Sequence, residues 1–347
     1  MAPDSETIQR IAADDMAALA SAALQRHAVP QHDSEIIANC LVHADLRGVE
    51  THGVVRLPGY IDRLRRGLIN PAPVLEPRMV GSVAASLDAQ NGFGFVAATK
   101  ATELAINIAT QHGVALVSVH ASNHFGMAAT YVQQAVNAGF VCFVFSNASP
   151  TMPPWGGRTP IFGTNPLAFG APNANADPFI LDMSPAVAAR GKIRAALRNK
   201  TAIPLGYALD SEGRPTTDPA AALAGVVLPV GGHKGAGLAI MVDILAGLMS
   251  GAGFAGSVGN QYGEDNKPQD VGHFFILMRP DLFIPREEYD ARMCILIETV
   301  QGCLPAEGFA SARMPGEASA ENERTRRLEG IPYEPALIST IKQLAAG

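Results

Sequence analysis

Cysteine is scarce in this sequence, and charged residues are fewer than in most globular proteins. Only four cysteines occur among 347 residues, and no two have the Cys-x-x-Cys spacing of a metal or redox site. Each of them (Cys40, Cys142, Cys294 and Cys303) lies in an apolar run. The sequence therefore predicts reduced core cysteines and a cytoplasmic protein, and it does not fit a disulfide-rich secreted scaffold.

Segments that direct a protein to a membrane or to nucleic acid are also missing. The N-terminal twenty residues are acidic and lack the basic region and apolar run of a signal peptide. The most apolar stretch, GLAIMVDILAGLMSGAG from Gly237, is too short to span a bilayer and carries Asp243, so a buried helix is predicted. The net charge of −6 comes from scattered residues, and the absence of a basic stripe excludes a nucleic-acid binder.

The remaining composition and the local patterns predict a large mixed α/β protein. Apolar residues make up 48% of the chain, and its length favours two domains. Helical spacing of apolar residues predicts two or three helices in residues 5–48, whereas β-branched and aromatic runs predict strands at 114–120 and 140–147. Helical patterns return in the C-terminal part.

One polar segment, Arg47–Arg56 (RGVETHGVVR), combines a proton-transfer side chain with an anion-binding one. His52 belongs to the residue type that moves protons near neutral pH. Arg56, four residues later, offers a planar fork for a carboxylate. The ordinary alternative is a helix end with a surface arginine and a histidine near the last carbonyls. The segment suggests proton transfer on a small organic acid, but its spacing alone does not decide.

Two further motifs resemble well-known sites and lack a part that those sites need. Gly92–Ala97 fits Gly-x-Gly-x-x-Gly/Ala, but no acidic residue follows about 20 positions later, so we predict a plain helix start and no conventional Rossmann domain. His120 and His124 have the spacing of a zinc pair, but Ala121 replaces the expected glutamate. A metal-dependent hydrolase is therefore the weakest alternative.

His124 lies between a predicted strand and a predicted helix, in the sequence SNHFG. The first N–H groups of a helix have no partner within the helix and bind anions such as a pyrophosphate or a carboxylate. The alternative is a polar capping loop with an incidental histidine.

Six motifs occur in a fixed order along the chain. They are DLRGVETHGVVRLPGY, SNHFG, GTNPLAFGAP, LDMS followed by ARGKI, GGHKGAGLAI and RMPGE. In this order they resemble the malate/L-lactate dehydrogenase family, NAD(P)-dependent 2-oxoacid reductases unrelated to the Rossmann dehydrogenases. The family includes sulfolactate and ureidoglycolate dehydrogenases and cyclic imino-acid reductases. The resemblance extends from about Ile8 to about Pro332.

The resemblance implies an α/β fold of the α+β type, with a mostly antiparallel central sheet flanked by helices. It implies a helical domain built from both chain ends (1–76 with 285–347), a central cofactor-binding domain (77–284), and a homodimer with its active site near the interface. The cofactor is expected to be NAD or NADP, with NAD slightly preferred. Ser149, just before Pro150, excludes neither.

Matched residue by residue, the resemblance assigns roles to a set of side chains. The catalytic candidates are His52, His124, Lys192 and Thr51. The predicted substrate contacts are Arg56 and Thr164. The predicted cofactor contacts are His124, Phe125, Gly126, Met127, Ala128, Asp182, Met183, Ser184, His233, Lys234, Arg313, Pro315, Gly316 and Glu317. No metal ligand is assigned.

The sequence departs from the imino-acid reductases of the family at two positions. Those enzymes have a serine before the first histidine and an aspartate after Arg-Gly of the later motif, which complete a charge relay. Here the residues are Thr51 and Lys192, and the lysine resembles the hydroxyacid dehydrogenases. We therefore expect an NAD(P)-dependent 2-hydroxyacid dehydrogenase acting on a small carboxylate substrate. The alternatives are a cyclic or N-alkyl imino-acid reductase and an inert binding protein with the same fold.

Overall fold

The structure is a computed structural model that describes residues 8–174, 176–261 and 266–346. Predictions that involve residues 1–7, including the signal-peptide prediction and part of the first helical region, lie outside the described residues.

Helices cover both chain ends and flank the middle. The α-helices are α1 (Ala13–Gln25), α2 (Gln31–Leu46), α3 (Leu57–Arg65), α4 (Gly94–His112), α5 (Ala129–Asn137), α6 (Arg190–Arg198), α7 (Pro219–Ala224), α8 (His233–Val242), α9 (Arg286–Gln301), α10 (Glu317–Glu329) and α11 (Pro335–Ala346). Two 3₁₀ turns, Glu50–His52 and Val54–Arg56, join α2 to α3, and a π-helical segment, Asp243–Leu248, continues α8.

The strands are short except at the centre of the sheet. They are β1 (Gln9–Ile11), β2 (Pro77–Met79), β3 (Ala84–Asp88), β4 (Val114–Ser122), β5 (Val141–Ser146), β6 (Leu167–Ala171), β7 (Phe179–Met183), β8 (Ala208–Leu209), β9 (Pro215–Thr216), β10 (Val226–Val227), β11 (Val271–Met278) and β12 (Ile331–Tyr333).

Seven strands form the central sheet in the order β2-β3-β4-β11-β5-β6-β7. The pair β3–β4 is parallel and the other pairs are antiparallel, which confirms the predicted mostly antiparallel sheet. Helices α4 and α5 pack on one face of the sheet, and the π-helical segment packs against β11, β5 and β4. β11 is almost entirely buried because both of its faces are covered.

The two ends of the chain pack together. β1 pairs antiparallel with β12, α1 packs against α11, and α10 packs against α2. The division into domains at residues 76 and 285 stays a prediction.

A small lobe at residues 185–230 has a hydrophobic core of its own. It contains α6, α7 and the three-stranded sheet β10-β8-β9. Ile193 and Ala208 are fully buried in this second core, together with Met152 from outside the lobe. The run ARGKIRAALRNK predicts the helix α6. The rest of the lobe has no such pattern, because strands of two residues are too short for a period-2 alternation.

The prediction of a buried helix from Gly237 is wrong in part. The helix spans α8 and the π-helical segment, and small residues such as Ala239 and Ala246 face the protein. Its larger apolar residues are exposed, among them Ile244 at 44% and Leu248 at 56%. The small residues allow close packing on the sheet, and the larger ones then point outward.

The prediction that every cysteine is a core residue is also wrong in part. Cys40 and Cys142 are buried, Cys294 is half-buried, and Cys303 is exposed just after α9. Burial raises the pKa of both buried thiols to about 12, which keeps them protonated at neutral pH.

Candidate active site

A cavity of about 660 Å³ lies where the central sheet, the turns after α2 and the small lobe meet. It brings together most of the side chains selected from the sequence. The predicted residues that line it are His52, Arg56, His124, Phe125, Gly126, Met127, Ala128, Thr164, Asp182, Met183, Ser184, Pro315 and Gly316.

The other predicted residues do not line this cavity. Thr51 lies behind His52, and its Oγ1 is 3.0 Å from His52 Nδ1. Lys192 is exposed on α6, and His233 and Lys234 are exposed at the start of α8. On α10 and just before it, two further side chains have surface partners: Arg313 pairs with Glu321 at 2.9 Å, and Glu317 accepts from Gln301 at 2.6 Å. Their predicted catalytic and cofactor roles stay predictions.

The turn that carries His52 and Arg56 is held by a buried carboxylate. Asp45 Oδ2 accepts from the Val54 amide at 3.0 Å and from the Tyr333 hydroxyl at 2.8 Å. Gly53 is required here, because a Cβ at this position would lie 1.7 Å from Asp45 Oδ1. Burial raises the pKa of Asp45 to about 7. α2, the turn and the C-terminal strand β12 are thereby tied together at one point.

The loop that carries His124 is fixed by its neighbours on both sides. The side-chain amide of Asn123 donates to the backbone carbonyls of Asn91 at 3.0 Å and Gly92 at 2.9 Å. α4 approaches so closely that a Cβ on Gly94 would lie 2.1 Å from Asn123 O, so the loosely Rossmann-like glycines serve packing. The His124 amide in turn donates to Gln269 at 3.1 Å.

A buried histidine that the sequence did not indicate supports the same loop from below. His273 on β11 lies between Ser146 on β5 and Ser122 on β4, at 2.9 and 2.8 Å from its two ring nitrogens. Phe125 stacks on its ring at 4.5 Å between centroids. Burial lowers the pKa of His273 to about 3, so the ring is neutral and bridges the two serines.

The His124 ring has a defined proton position. The Gly126 amide, which can only donate, is 3.3 Å from Nδ1, and the Tyr60 hydroxyl is 2.7 Å from the same nitrogen. Nδ1 is therefore an acceptor, and the neutral ring carries its hydrogen on Nε2. His52 stacks on this ring at 5.7 Å between centroids.

Both histidines are neutral at physiological pH. Burial, followed by the positive charge of Arg56, lowers the pKa of His52 to about 4. Burial and the neighbouring His52 and Arg56 place the pKa of His124 well below its ordinary value. Two neutral imidazoles next to an arginine can accept a proton from a bound hydroxyl group, which is the chemistry of a general base.

The cavity is rich in arginine. Arg47, Arg56, Arg190 and Arg194 line it, and Asp182 is the one carboxylate among its described lining residues. Arg190 and Arg194 were not predicted as site residues from the sequence. Their i, i+4 spacing on α6 places them on one helix face and was the available signal.

Asp182 occupies part of the anion site predicted at the start of α5. Its carboxylate accepts from the Ala129 amide at 2.8 Å, and burial raises its pKa to about 6. The run FGMAATYVQQAVNAG predicts a helix from Phe125, but the helix begins four residues later, at Ala129. The intervening residues 125–128 line the cavity.

The cavity has the size and the backbone shape for a cofactor with a small acid beside it, since cofactor sites commonly occupy about 300–1,000 Å³. Gly126 and Gly316 line it with positive φ, at 77° and 98°. Side chains there would be strained, and a Cβ on Gly316 would lie 3.1 Å from Ile180 O. The volume of the cavity and its four arginines fit an anionic dinucleotide such as NAD(P) beside a small acid.

The arrangement does not favour the zinc-hydrolase alternative. His120 Nε2 lies 4.0 Å from Asp88 Oδ2 and does not line the cavity that contains His124. Among residues 8–174, 176–261 and 266–346, no three His, Cys, Asp or Glu side chains form a group that could hold a metal ion.

Within the same ranges, no helix has the length and hydropathy needed to cross a membrane.

Comparison with curated proteins gives relatives over nearly the whole chain. The L-sulfolactate dehydrogenase of Methanocaldococcus jannaschii is 39% identical and is matched over 92% of both chains. The (2R)-3-sulfolactate dehydrogenase (NADP(+)) of Chromohalobacter salexigens is 36% identical over 94% of this chain and 95% of its own. The ureidoglycolate dehydrogenase (NAD(+)) of Escherichia coli K12 is 36% identical over 85% and 84%.

Solved structures agree. The sulfolactate dehydrogenase from M. jannaschii superposes with a TM-score of 0.91 and 36% identity, over 97% of both chains. The Δ1-piperideine-2-carboxylate reductase from Pseudomonas syringae gives 0.89 and 29% identity, over 97% and 99%. The sequence profile of the family described as "Malate/L-lactate dehydrogenase" matches residues 11–342. The chain therefore belongs to the malate/L-lactate dehydrogenase family.

Proposed function

We propose that this protein transfers a hydride from NAD(P)H to C2 of a small 2-oxo acid. In the reverse direction it transfers the hydride from the L-2-hydroxy acid to NAD(P)⁺. Its relatives are named sulfolactate and ureidoglycolate dehydrogenases. As a member of their family, the chain is an oxidoreductase that acts on hydroxy acids. The observation that carries the proposal is the convergence of Arg56, His52 and His124 on one cavity with the predicted cofactor-binding stretches.

Arg56 binds the substrate carboxylate and fixes the orientation of C2. Its Nε donates to the Thr51 carbonyl, so the guanidinium is held toward the cavity. A bidentate pair between guanidinium and carboxylate holds the planar acid in one orientation, which is a large part of the rate gain in such reactions. A nicotinamide cofactor bound beside the acid would supply the hydride chemistry.

One of the two histidines moves the proton at the C2 oxygen. In the oxidation direction a neutral imidazole accepts the hydroxyl proton, and the low pKa values of His52 and His124 keep that form available. In the reduction direction the same imidazole must be protonated first. A bound carboxylate favours the protonated form because opposite charges raise the pKa of an imidazole.

For the cofactor, we propose that NAD is slightly preferred over NADP. The Ser149 hydroxyl lines the cavity and donates to the Gly259 carbonyl at 2.6 Å, so its hydrogen is not free for an additional phosphate. The relatives include enzymes named for each cofactor.

A cyclic imino-acid reductase is the second candidate, supported by the structural similarity to a piperideine-carboxylate reductase. Thr51 beside His52, and Lys192 in place of the relay aspartate, argue against it. Reduction of an imine also forms no alkoxide, so neither histidine would have a proton to transfer at an oxygen.

A substrate panel tests the proposal. Purified protein is assayed with NADH and NADPH against pyruvate, oxaloacetate, sulfopyruvate, 2-oxoglutarate and two cyclic imines, with cofactor absorbance as the readout. We expect turnover of at least one 2-oxo acid, faster than that of either imine. A higher rate with an imine selects the second candidate, and binding of NAD(P)H without any turnover selects an inert binding protein.

We also place the protein in the cytoplasm, because its two buried cysteines are free thiols, as is usual in a reducing compartment.

We further propose a homodimer. The exposed apolar face of α8 and the π-helical segment supports the dimer. This apolar face consists of Ile240, Met241, Ile244, Leu248, Met249 and the neighbouring Phe254. A contiguous apolar patch of this kind is unusual on a monomer and typical of an interface.

A further inference from the structure

The small lobe contributes a second group of cations to the active-site cavity. Arg190 and Arg194 of α6 line the same cavity as His52 and Arg56. The first turn of α6 lies next to the catalytic turn, since a Cβ on Gly191 would lie 3.9 Å from the Thr51 methyl group. These arginines therefore face the substrate region near His52.

The position of α6 is fixed by its own packing. Ile193, between the two arginines in sequence, is fully buried in the core of the small lobe. Arg190 donates to the Leu223 carbonyl at 2.7 Å, which fixes its side chain against the lobe. Arg194 follows one turn later on the same face, and Arg198, a further turn along, is exposed and outside the cavity.

The arginines are close enough to influence each other. Burial and then the charge of Arg194 lower the pKa of Arg190, and burial and Arg194 also lower the pKa of Arg56. Like charges held together in a partly buried site are stabilised by an anionic ligand that contacts them. One carboxylate bound to Arg56 leaves the lobe side of the cavity without a negative group from the substrate.

We propose that Arg194, supported by Arg190, forms a second anion site that selects 2-oxo acids with a carboxylate or sulfonate on C3. This inference rests on the proposed oxidoreductase function, and it narrows the substrates to dianions. Arg56 holds the C1 carboxylate on one side of the reacting carbon, and Arg194 contacts the C3 anion on the other. Monoanionic acids of the same length lose the second contact.

The test compares a matched pair of substrates in wild type and three variants. Oxaloacetate and sulfopyruvate carry the second anion, whereas 2-oxobutyrate has a neutral methyl group in its place. The variants are Arg194→Met, Arg194→Lys and the control Arg198→Met, which removes a charge from the same helix outside the cavity. The ratio of kcat/KM for each dianion to that for 2-oxobutyrate is measured, together with KM for NADH.

In wild type we expect the dianions to be preferred, because a charge-assisted contact is worth about 10- to 100-fold in affinity. Arg194→Met should lose about 10- to 100-fold of this preference, mainly through KM, and Arg194→Lys should lose less. Arg198→Met should keep it. Oxaloacetate and sulfopyruvate distinguish a carboxylate site from a sulfonate site.

Two results would overturn the second anion site and leave the oxidoreductase function standing. One is equal turnover of 2-oxobutyrate and the dianions by wild type. The other is a rise in KM for NADH in Arg194→Met with unchanged preference among acids, which would assign Arg194 to a cofactor phosphate. Absence of turnover with every acid would overturn the proposed function as well.

Discussion

The neutral imidazoles of His52 and His124 and the guanidinium of Arg56 line the same cavity. Their neutrality comes from burial and from Arg56, and the orientation of His124 comes from Tyr60 and the Gly126 amide. The charge that binds the acid also keeps the base deprotonated. Single substitutions separate these tasks.

Replacing each histidine by alanine identifies the proton carrier. The true base should lose about 100-fold or more in kcat, since general acid–base catalysis contributes about that much, with little change in KM. The other histidine should change mainly KM. His112→Ala, at the exposed end of α4, is the control. Near-normal kcat in both His52→Ala and His124→Ala would contradict the assignment.

Arg56→Lys keeps the charge and removes the planar fork. We expect KM for the 2-oxo acid to rise about tenfold or more, kcat to fall less, and NADH affinity to stay the same. Steady-state kinetics and NADH fluorescence titration measure these values. Arg65→Lys, exposed on α3, should behave as wild type. A silent Arg56→Lys would remove Arg56 from the substrate site.

At the scale of elements, the catalytic turn depends on Asp45. This residue lies at the end of α2, and it receives hydrogen bonds from the turn and from β12. A carboxyl group with its folded pKa raised to about 7, against an ordinary 3.8, favours folding in its protonated form. That contribution is fully present below about pH 4 and is lost as the pH rises through about 7.

Asp45→Asn should show this dependence directly, because asparagine resembles the protonated carboxyl group. Between pH 5 and pH 8 the wild type loses the contribution of protonated Asp45, whereas asparagine does not titrate. The free energy of unfolding of the variant minus that of wild type should therefore be larger at pH 8 than at pH 5, by about 2 kcal/mol or more, since each pKa unit corresponds to about 1.4 kcal/mol. Urea unfolding at both pH values measures it. Asp62→Asn, exposed on α3, should show no such change. A difference independent of pH would rule out the raised pKa.

The elements that the sequence predicted share one property: their pattern is local. β4 and β5 are runs of β-branched and aromatic residues bounded by glycine, asparagine or polar residues. The outward face of the helix after Gly237 could not be predicted, because hydropathy does not tell packing on the sheet from packing on a partner. Arg190 and Arg194 were missed because an arginine pair on a polar helix normally reads as solvent-exposed.

At the scale of the whole molecule, the described residues bury a large core on one face of the sheet, a smaller cluster on its other face and a separate core in the small lobe. The active-site cavity is lined by residues of the sheet, of the turns after α2 and of α6 in the small lobe. The exposed apolar face of α8 and the π-helical segment lies on the opposite side of the sheet from α4 and α5, and it is the surface that we assign to the partner chain.

Leu248→Asp should disrupt the proposed homodimer. A buried unpaired charge at an interface costs several kcal/mol, so light scattering should show a monomer where wild type is a dimer. Leu328→Asp, on exposed α10, should remain dimeric. A wild-type monomer with full activity would contradict the dimer, and a dimeric Leu248→Asp would move the interface elsewhere.

The separate core of the small lobe has a consequence for how such a protein changes over time. Side chains that do not share contacts affect stability almost independently. Arg190 and Arg194 lie on α6. The buried residue of this helix, Ile193, packs in the core of the small lobe and not in the large core beside the sheet. Under the proposed second anion site, substitutions on that face of α6 change the choice of acid without disturbing the packing that positions the two histidines, so a few substitutions in the small lobe are enough to shift substrate preference.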